Sequence, residues 1–115
     1  MAIERSELKQ VTEISAAILD EVEKAVIGKR RPLELILAAI LSEGHILIED
    51  LPGLGKTLIA RSMATALGLD FKRIQFTPDL LPTDITGGYI YDRSNSAFVL
   101  RQGPIFANII LADEI

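Results

Sequence analysis

The sequence predicts an α/β fold built on a parallel sheet. Three observations carry that expectation. The apolar run HILIE, residues 45–49, leads into a glycine-rich turn and then a helical pattern. A second strand pattern, FKRIQF at 71–76, follows that helix. A third apolar strand pattern is NIILAD at 108–113, and HILIE itself reads as a strand buried on both faces, as in parallel sheets.

Each element has its own signal. Residues 6–27 read as a helix, because Leu8, Val11, Ile14, Ile18, Val22 and Ala25 recur every three or four positions. Gly28 is placed to stop it. A second helix is expected from Pro32, a residue suited to a first turn, to Gly44. It is apolar nearly all round, which predicts deep burial. GKTLIARSMATAL reads as a third helix, with Ile59, Met63 and Leu67 on one face and Gly68 at its end. TPDLLPTDITGG reads as a loop, and YIYDRSNSAFVL as a hairpin turning at Arg93–Ser96.

The bulk numbers narrow the function classes. At 115 residues the chain is at most one small domain. Hydrophobic residues make up 49% and charged residues 24%, which argues against disorder. The net charge of −4 disfavours a nucleic-acid groove. The absence of cysteine removes disulfides and thiolate metal sites and fits a reducing compartment. The charged start MAIERSELKQ does not resemble a signal peptide, and the longest apolar run, Leu35–Leu41, is too short to span a bilayer. The expectation is a cytoplasmic protein without membrane insertion and without a nucleic-acid partner.

The stretch EDLPGLGKT at 49–57 carries the first chemical signal. Phosphate needs several donors in a small concave space. Glycines let backbone N–H groups curl around it, and the following helix adds the positive end of its dipole. Gly53 and Gly55 stand where the backbone comes closest to phosphate. Lys56 would reach the β and γ phosphates, and the Thr57 hydroxyl would hold Mg²⁺. Asp50 occupies the position of the pattern's first glycine, where the role is mainly conformational. Aspartate tolerates turn geometries, so a working loop with an altered opening is expected. The alternative is an ordinary glycine-rich turn capped by a helix.

The second signal is IILADEI at the end of the third strand. A hydrolysing site needs one carboxylate near Mg²⁺ and one beside the attacking water. Asp113 is placed for the first role and Glu114 for the second. Alone, such a pair describes a solvated strand end; together with GLGKT it reads as a nucleotide site. His45, the sole histidine, reads as structural. Lys29, Arg30 and Arg31 read as a solvated helix start or as neighbours of a nucleotide. Asp79 and Asp84 read as turn and cap residues.

PGLGKT, RIQFTPDLLPTDITGG and GPIFANIILADEI together resemble the MoxR family of AAA+ ATPases. The middle segment is the most specific, because other P-loop enzymes do not share it. The resemblance covers about residues 5–115. It implies a P-loop NTPase three-layer sandwich, truncated here to the N-terminal portion of an AAA+ domain, without the helical lid. Its Walker A loop maps onto Asp50, Leu51, Pro52, Gly53, Leu54, Gly55, Lys56 and Thr57, with nucleotide contact continuing to Leu58. Its Walker B segment maps onto Ile109–Glu114, with Asp113 and Thr57 toward the metal and Glu114 and Lys56 in catalysis. Val26, Ile27 and Gly28 resemble the segment beside adenine, where the family often has glutamine at the place of Lys29. The hairpin corresponds to an insertion typical of this branch.

The implied cofactors are ATP and Mg²⁺. The implied activity is ATP hydrolysis that drives chaperone-like maturation or assembly of partner complexes. Hexameric rings and von Willebrand A domain partners are implied with it. The implied sheet order is 5-1-4-3-2, with residues 45–49, 71–76 and 108–113 as its first three strands. Strand 4 would be missing between the first and third. A fragment of a longer ATPase is therefore expected, with hydrolysis by residues 1–115 alone near background. The alternatives are a nucleotide-binding fragment without turnover, a small kinase, or an interaction domain that docks through helix 6–27.

Overall fold

The computed structural model describes residues 4–49 and 55–115. They belong to two units, Met1–Gly68 and Leu69–Ile115, each described in turn.

The first unit is helical. Helix α1 spans Arg5–Glu23, α2 spans Arg30–Leu41 and α3 spans Lys56–Leu67. Leu19, Val22, Val26, Leu33, Leu37, Ile59 and Met63 form one buried cluster drawn from all three helices and the α1–α2 turn. Removing such side chains from water, at ~25 cal/mol per Å² of apolar surface, is the main force holding the helices together. Arg30 ties α1 to α2 at the rim, 2.8 Å from Asp20 and 3.5 Å from Glu23. At the start of α2, Arg30 is thus partly solvated and engaged by two carboxylates of α1.

Several expectations change here. Helix α1 ends at Glu23, and the chain reaches Gly28, at φ 79°, through successive turns. The apolar stripe is buried only at its C-terminal end. Leu8, Val11 and Ile14, in its first three turns, stay exposed. Helix α2 begins at Arg30, with Pro32 inside its first turn, where a missing N–H leaves no bond unmade. It is not deeply buried all round: Leu33 and Leu37 are inside, while Leu35 and Leu41 are exposed. Its neighbours α1 and α3 cover only one face.

Helix α2 also stops one residue earlier than a glycine stop implies. Glu43 sits at φ 56°, the Glu43 N–H donates to Ile40 O at 3.1 Å, and the Gly44 N–H donates to Ala39 O at 2.8 Å. These are the paired bonds of a Schellman cap, with glutamate at the left-handed position that glycine favours. An L side chain there costs roughly 1–2 kcal/mol. Glu43→Gly is therefore expected to stabilise the protein by about 1 kcal/mol, read as a higher denaturation midpoint at unchanged m-value. An unchanged or lower midpoint would show that the Glu43 side chain compensates for its backbone.

The expected strand at 45–49 is not formed. These residues join no ladder among the described residues, and Leu47 is 81% exposed. A strand needs a neighbour for its backbone groups, and no described segment supplies one.

The second unit contains the sheets. Strand β1, Phe71–Gln75, pairs in parallel with β4, Ile109–Asp113. The ladder continues past β1, where the Phe76 N–H donates to Asp113 O at 2.9 Å. Between these strands lie α4 (Pro82–Thr86), β2 (Gly87–Asp92) and β3 (Ala97–Gln102). The α4 turn replaces part of the expected loop. The Leu81 N–H donates to Asp84 Oδ2 at 2.9 Å, so Asp84 is the cap residue the sequence suggests.

The hairpin β2–β3 turns at residues 93–96, as expected. Asp92 fixes the turn by accepting from the Ser94 N–H at 2.9 Å and from the Asn95 side-chain amide at 2.7 Å. Those bonds, the Ser94 amide first, hold its carboxyl below the usual carboxylate range. Tyr89 faces Leu100 and Tyr91 faces Phe98 on one side of the ribbon; Ile90 faces Val99 on the other. The Tyr91 and Phe98 rings meet edge to face, with centroids 5.3 Å apart.

At the hairpin base the backbones cross closely. The Gly103 N–H donates to Thr86 O at 3.2 Å, and the Ile105 N–H donates to Ile85 O at 3.1 Å. Gly87 adopts φ 78° and ψ −169°, a region open essentially to glycine alone.

Candidate functional site

One candidate segment, in the first unit, lies where the chain enters α3. Asp50, Leu51, Pro52, Gly53 and Leu54 fall outside the described residues. Gly55 does not: it is the N-cap of α3, in the left-handed conformation at φ 83°. Among the described residues a Cβ there would meet nothing within 4 Å, and the left-handed backbone itself favours glycine. The Gly55 carbonyl accepts from the Ile59 N–H at 2.9 Å, so the helix begins immediately.

Lys56, Thr57 and Leu58 are therefore the first three residues of α3. The first turn of a helix is where backbone N–H groups point outward along its axis. The first turn carries no acidic side chain, so nothing in it offsets the positive end of the dipole. Lys56 and Thr57 are partly exposed, and Leu58 is exposed. Burial of Ile59, Met63 and Ala64 fixes the helix from behind.

Ile27 and Gly28, the residues expected beside adenine, lie in the turn between α1 and α2. Ile27 is 85% exposed, whereas its neighbour Val26 is in the core. This turn thus presents an apolar side chain outward on a buried anchor. His45 is exposed.

The other candidate segment, in the second unit, lies at the C-terminal end of β4. Asp113 is its last residue, and Glu114 follows at φ 58°. A left-handed glutamate turns the chain off the strand axis at the residue expected to meet the attacking water.

The structure adds a residue that the sequence did not single out. Arg73 on β1 donates to Asp113 Oδ2 through Nε at 3.1 Å and also through a terminal guanidinium nitrogen. The parallel register sets Arg73 opposite Leu111 and Gln75 opposite Asp113. With period-two alternation, all four share one face, and Arg73 reaches Asp113 diagonally. FKRIQF shows the alternation, but the register with a distant strand is not written in it.

Asp79 stays a turn residue. The Thr77 hydroxyl, and then its own backbone N–H, hold its carboxyl below the ordinary range. An open groove of about 400 Å³ lies at the hairpin base, lined by Thr83, Gly87, Tyr89 and Arg101 among others.

Thr57 and Asp113 offer hard oxygen donors. Among the described residues no cluster of three or more acidic or histidine side chains forms a metal cage. Each of the two is a donor of the kind Mg²⁺ takes, an ion that keeps much of its water and draws other ligands from phosphate.

Comparison with known proteins decides the family. Residues 45–115 match the ATPase family associated with various cellular activities (AAA). Chaperone MoxR1 of Mycobacterium tuberculosis is 46% identical over 95 residues, covering 83% of this chain and 25% of that protein. The chain belongs to the MoxR family of AAA+ ATPases. An uncharacterized Bacillus subtilis protein, YeaC, is 53% identical over 97 residues, which is 84% of this chain and 30% of YeaC. A crystal structure of a candidate ATPase from Cytophaga hutchinsonii superposes with a TM-score of 0.74 at 45% identity, covering 94% of this chain and 35% of that one. This MoxR-family chain thus spans about a third or less of the length of these relatives. Its directly paired parallel strands β1 and β4 match the adjacency of second and third strands that the resemblance implies. Among the described residues no helix is long and apolar enough to cross a membrane.

Proposed function

We propose that this chain carries the phosphate-binding and metal-binding segments of an ATPase. One observation carries the reading: a left-handed glycine, Gly55, feeds directly into α3, whose first two residues are Lys56 and Thr57. Lys56 binds the β and γ phosphates of ATP, and the Thr57 hydroxyl holds Mg²⁺. The resemblance assigns the rest of the phosphate loop to residues 50–54, with Asp50 first, and these lie outside the described residues. Ile27 and Gly28 lie against the base. Asp113 orients the metal's waters, and Glu114 orients and deprotonates the attacking water. Mg²⁺, when bound, neutralises the phosphate charge.

In the whole protein, hydrolysis drives chaperone-like maturation of partner complexes in the cytoplasm. The MoxR1 name supports that reading. A hexameric ring, with an arginine from a neighbouring subunit and von Willebrand A domain partners, belongs to the same proposal. Nucleotide binding without hydrolysis is the second reading; exposed Glu114, in its left-handed conformation, is the residue that separates the two.

The test is a titration with a fluorescent ATP analogue and Mg²⁺, beside Lys56→Ala. Hydrogen bonds to a charged group contribute about 1.5–3 kcal/mol, so Lys56→Ala is expected to weaken binding about 10–100-fold. Equal binding by both proteins would remove the phosphate role of Lys56. Binding by neither would show that the segment lacks a site on its own.

A further inference from the structure

We propose that Arg73 is a positioning residue for Asp113, holding its carboxylate in the orientation that receives the metal's water shell. This rests on the metal role given to Asp113 above. Two guanidinium nitrogens converge on one oxygen, Asp113 Oδ2, and fix the rotation of the carboxylate. The strand backbone is fixed as well, through the bond from the Phe76 N–H to Asp113 O. Both side chains are partly open to solvent, 41% for Arg73 and 30% for Asp113. An exposed pair contributes only about 0–1 kcal/mol to stability. Its main consequence is therefore orientation.

The geometry suits that role. Arg73 reaches Asp113 from the neighbouring strand and on the same face, so the clamp is built into the β1–β4 register. Arginine is the suitable residue, because its planar fork offers several donors in a fixed arrangement, where lysine offers a flexible point charge. Side chains that hydrogen-bond a metal-binding group hold it in this way, and their loss costs about 10–100-fold in metal affinity.

The test uses the full-length protein with Mn²⁺ as the probe, read by electron paramagnetic resonance in the presence of ATP. Arg73→Met is expected to weaken Mn²⁺ binding about 10–100-fold. Metal-free ATP binding and the melting temperature should stay near wild type, and Arg73→Lys should recover only part of the loss. In an Asp113→Asn background, Arg73→Met should add nothing, because its target is already altered. Unchanged or tighter Mn²⁺ binding in Arg73→Met would overturn the proposal, the tighter case marking Arg73 as a competitor of the metal. Equal losses of Mn²⁺ and metal-free ATP binding would overturn it too, by showing a general folding role. Failure of the underlying reading looks different: Asp113→Asn itself would leave Mn²⁺ binding unchanged.

Discussion

Gly87→Ala is expected to abolish the native base of the hairpin. A Cβ at Gly87 would stand 2.4 Å from the Gly103 nitrogen and closer still to Arg101 O, both backbone atoms. Neither can swing aside as a side chain would. The backbone conformation at Gly87 adds roughly 1–3 kcal/mol of strain for any L side chain. Gly103→Ala meets the same crossing from the other strand, with Ile85 O at 2.3 Å and the Gly87 nitrogen at 2.5 Å. Because both substitutions open one contact, their effects should fall well short of additive. Gly88→Ala is the internal control: nothing lies within 4 Å of its Cβ position, and it should be tolerated. Amide exchange across residues 87–102 reads the result. Protection retained in Gly87→Ala would show that the crossing can relax.

Glu114→Gln should lower ATP turnover by the full-length protein about 10²–10⁴-fold, the usual worth of a positioned proton acceptor. ATP affinity should hold, because the substitution keeps the shape and removes only the charge that takes the proton. The change belongs in kcat, with the equilibrium binding constant measured separately. Turnover within a few-fold of wild type would mean that another group activates the water. The left-handed turn at Glu114 could not then be given that purpose.

Local signals in the sequence proved readable where the structure depends on local physics. The αL glycines at 55 and 68 bracket α3 as their positions suggest. The hairpin turn lies at 93–96, because Asp92, Ser94 and Asn95 can satisfy one another there. Signals that depend on neighbours failed. HILIE is a strand by composition, yet forms no ladder among the described residues. The stripe on α1 outruns the helices available to cover it, and the apolar circumference of α2 is covered on one side. At the site, the family motifs pointed to Gly55, Lys56, Thr57, Asp113 and Glu114. The Arg73–Asp113 pair depends on how two distant strands are matched, and no short window of sequence holds that information.

The aromatic side chains of the hairpin have a practical consequence. All four phenylalanines, Phe71, Phe76, Phe98 and Phe106, and both tyrosines lie after Gly68, and the chain has no tryptophan. The three-helix unit is therefore silent in near-ultraviolet circular dichroism and intrinsic fluorescence. Tyr89 and Tyr91 sit side by side on one hairpin face, so tyrosine emission is a native reporter of that ribbon alone. Far-ultraviolet dichroism follows mainly the helices. One unlabelled sample thus provides two optical channels, and a lag between them would show the two units melting separately.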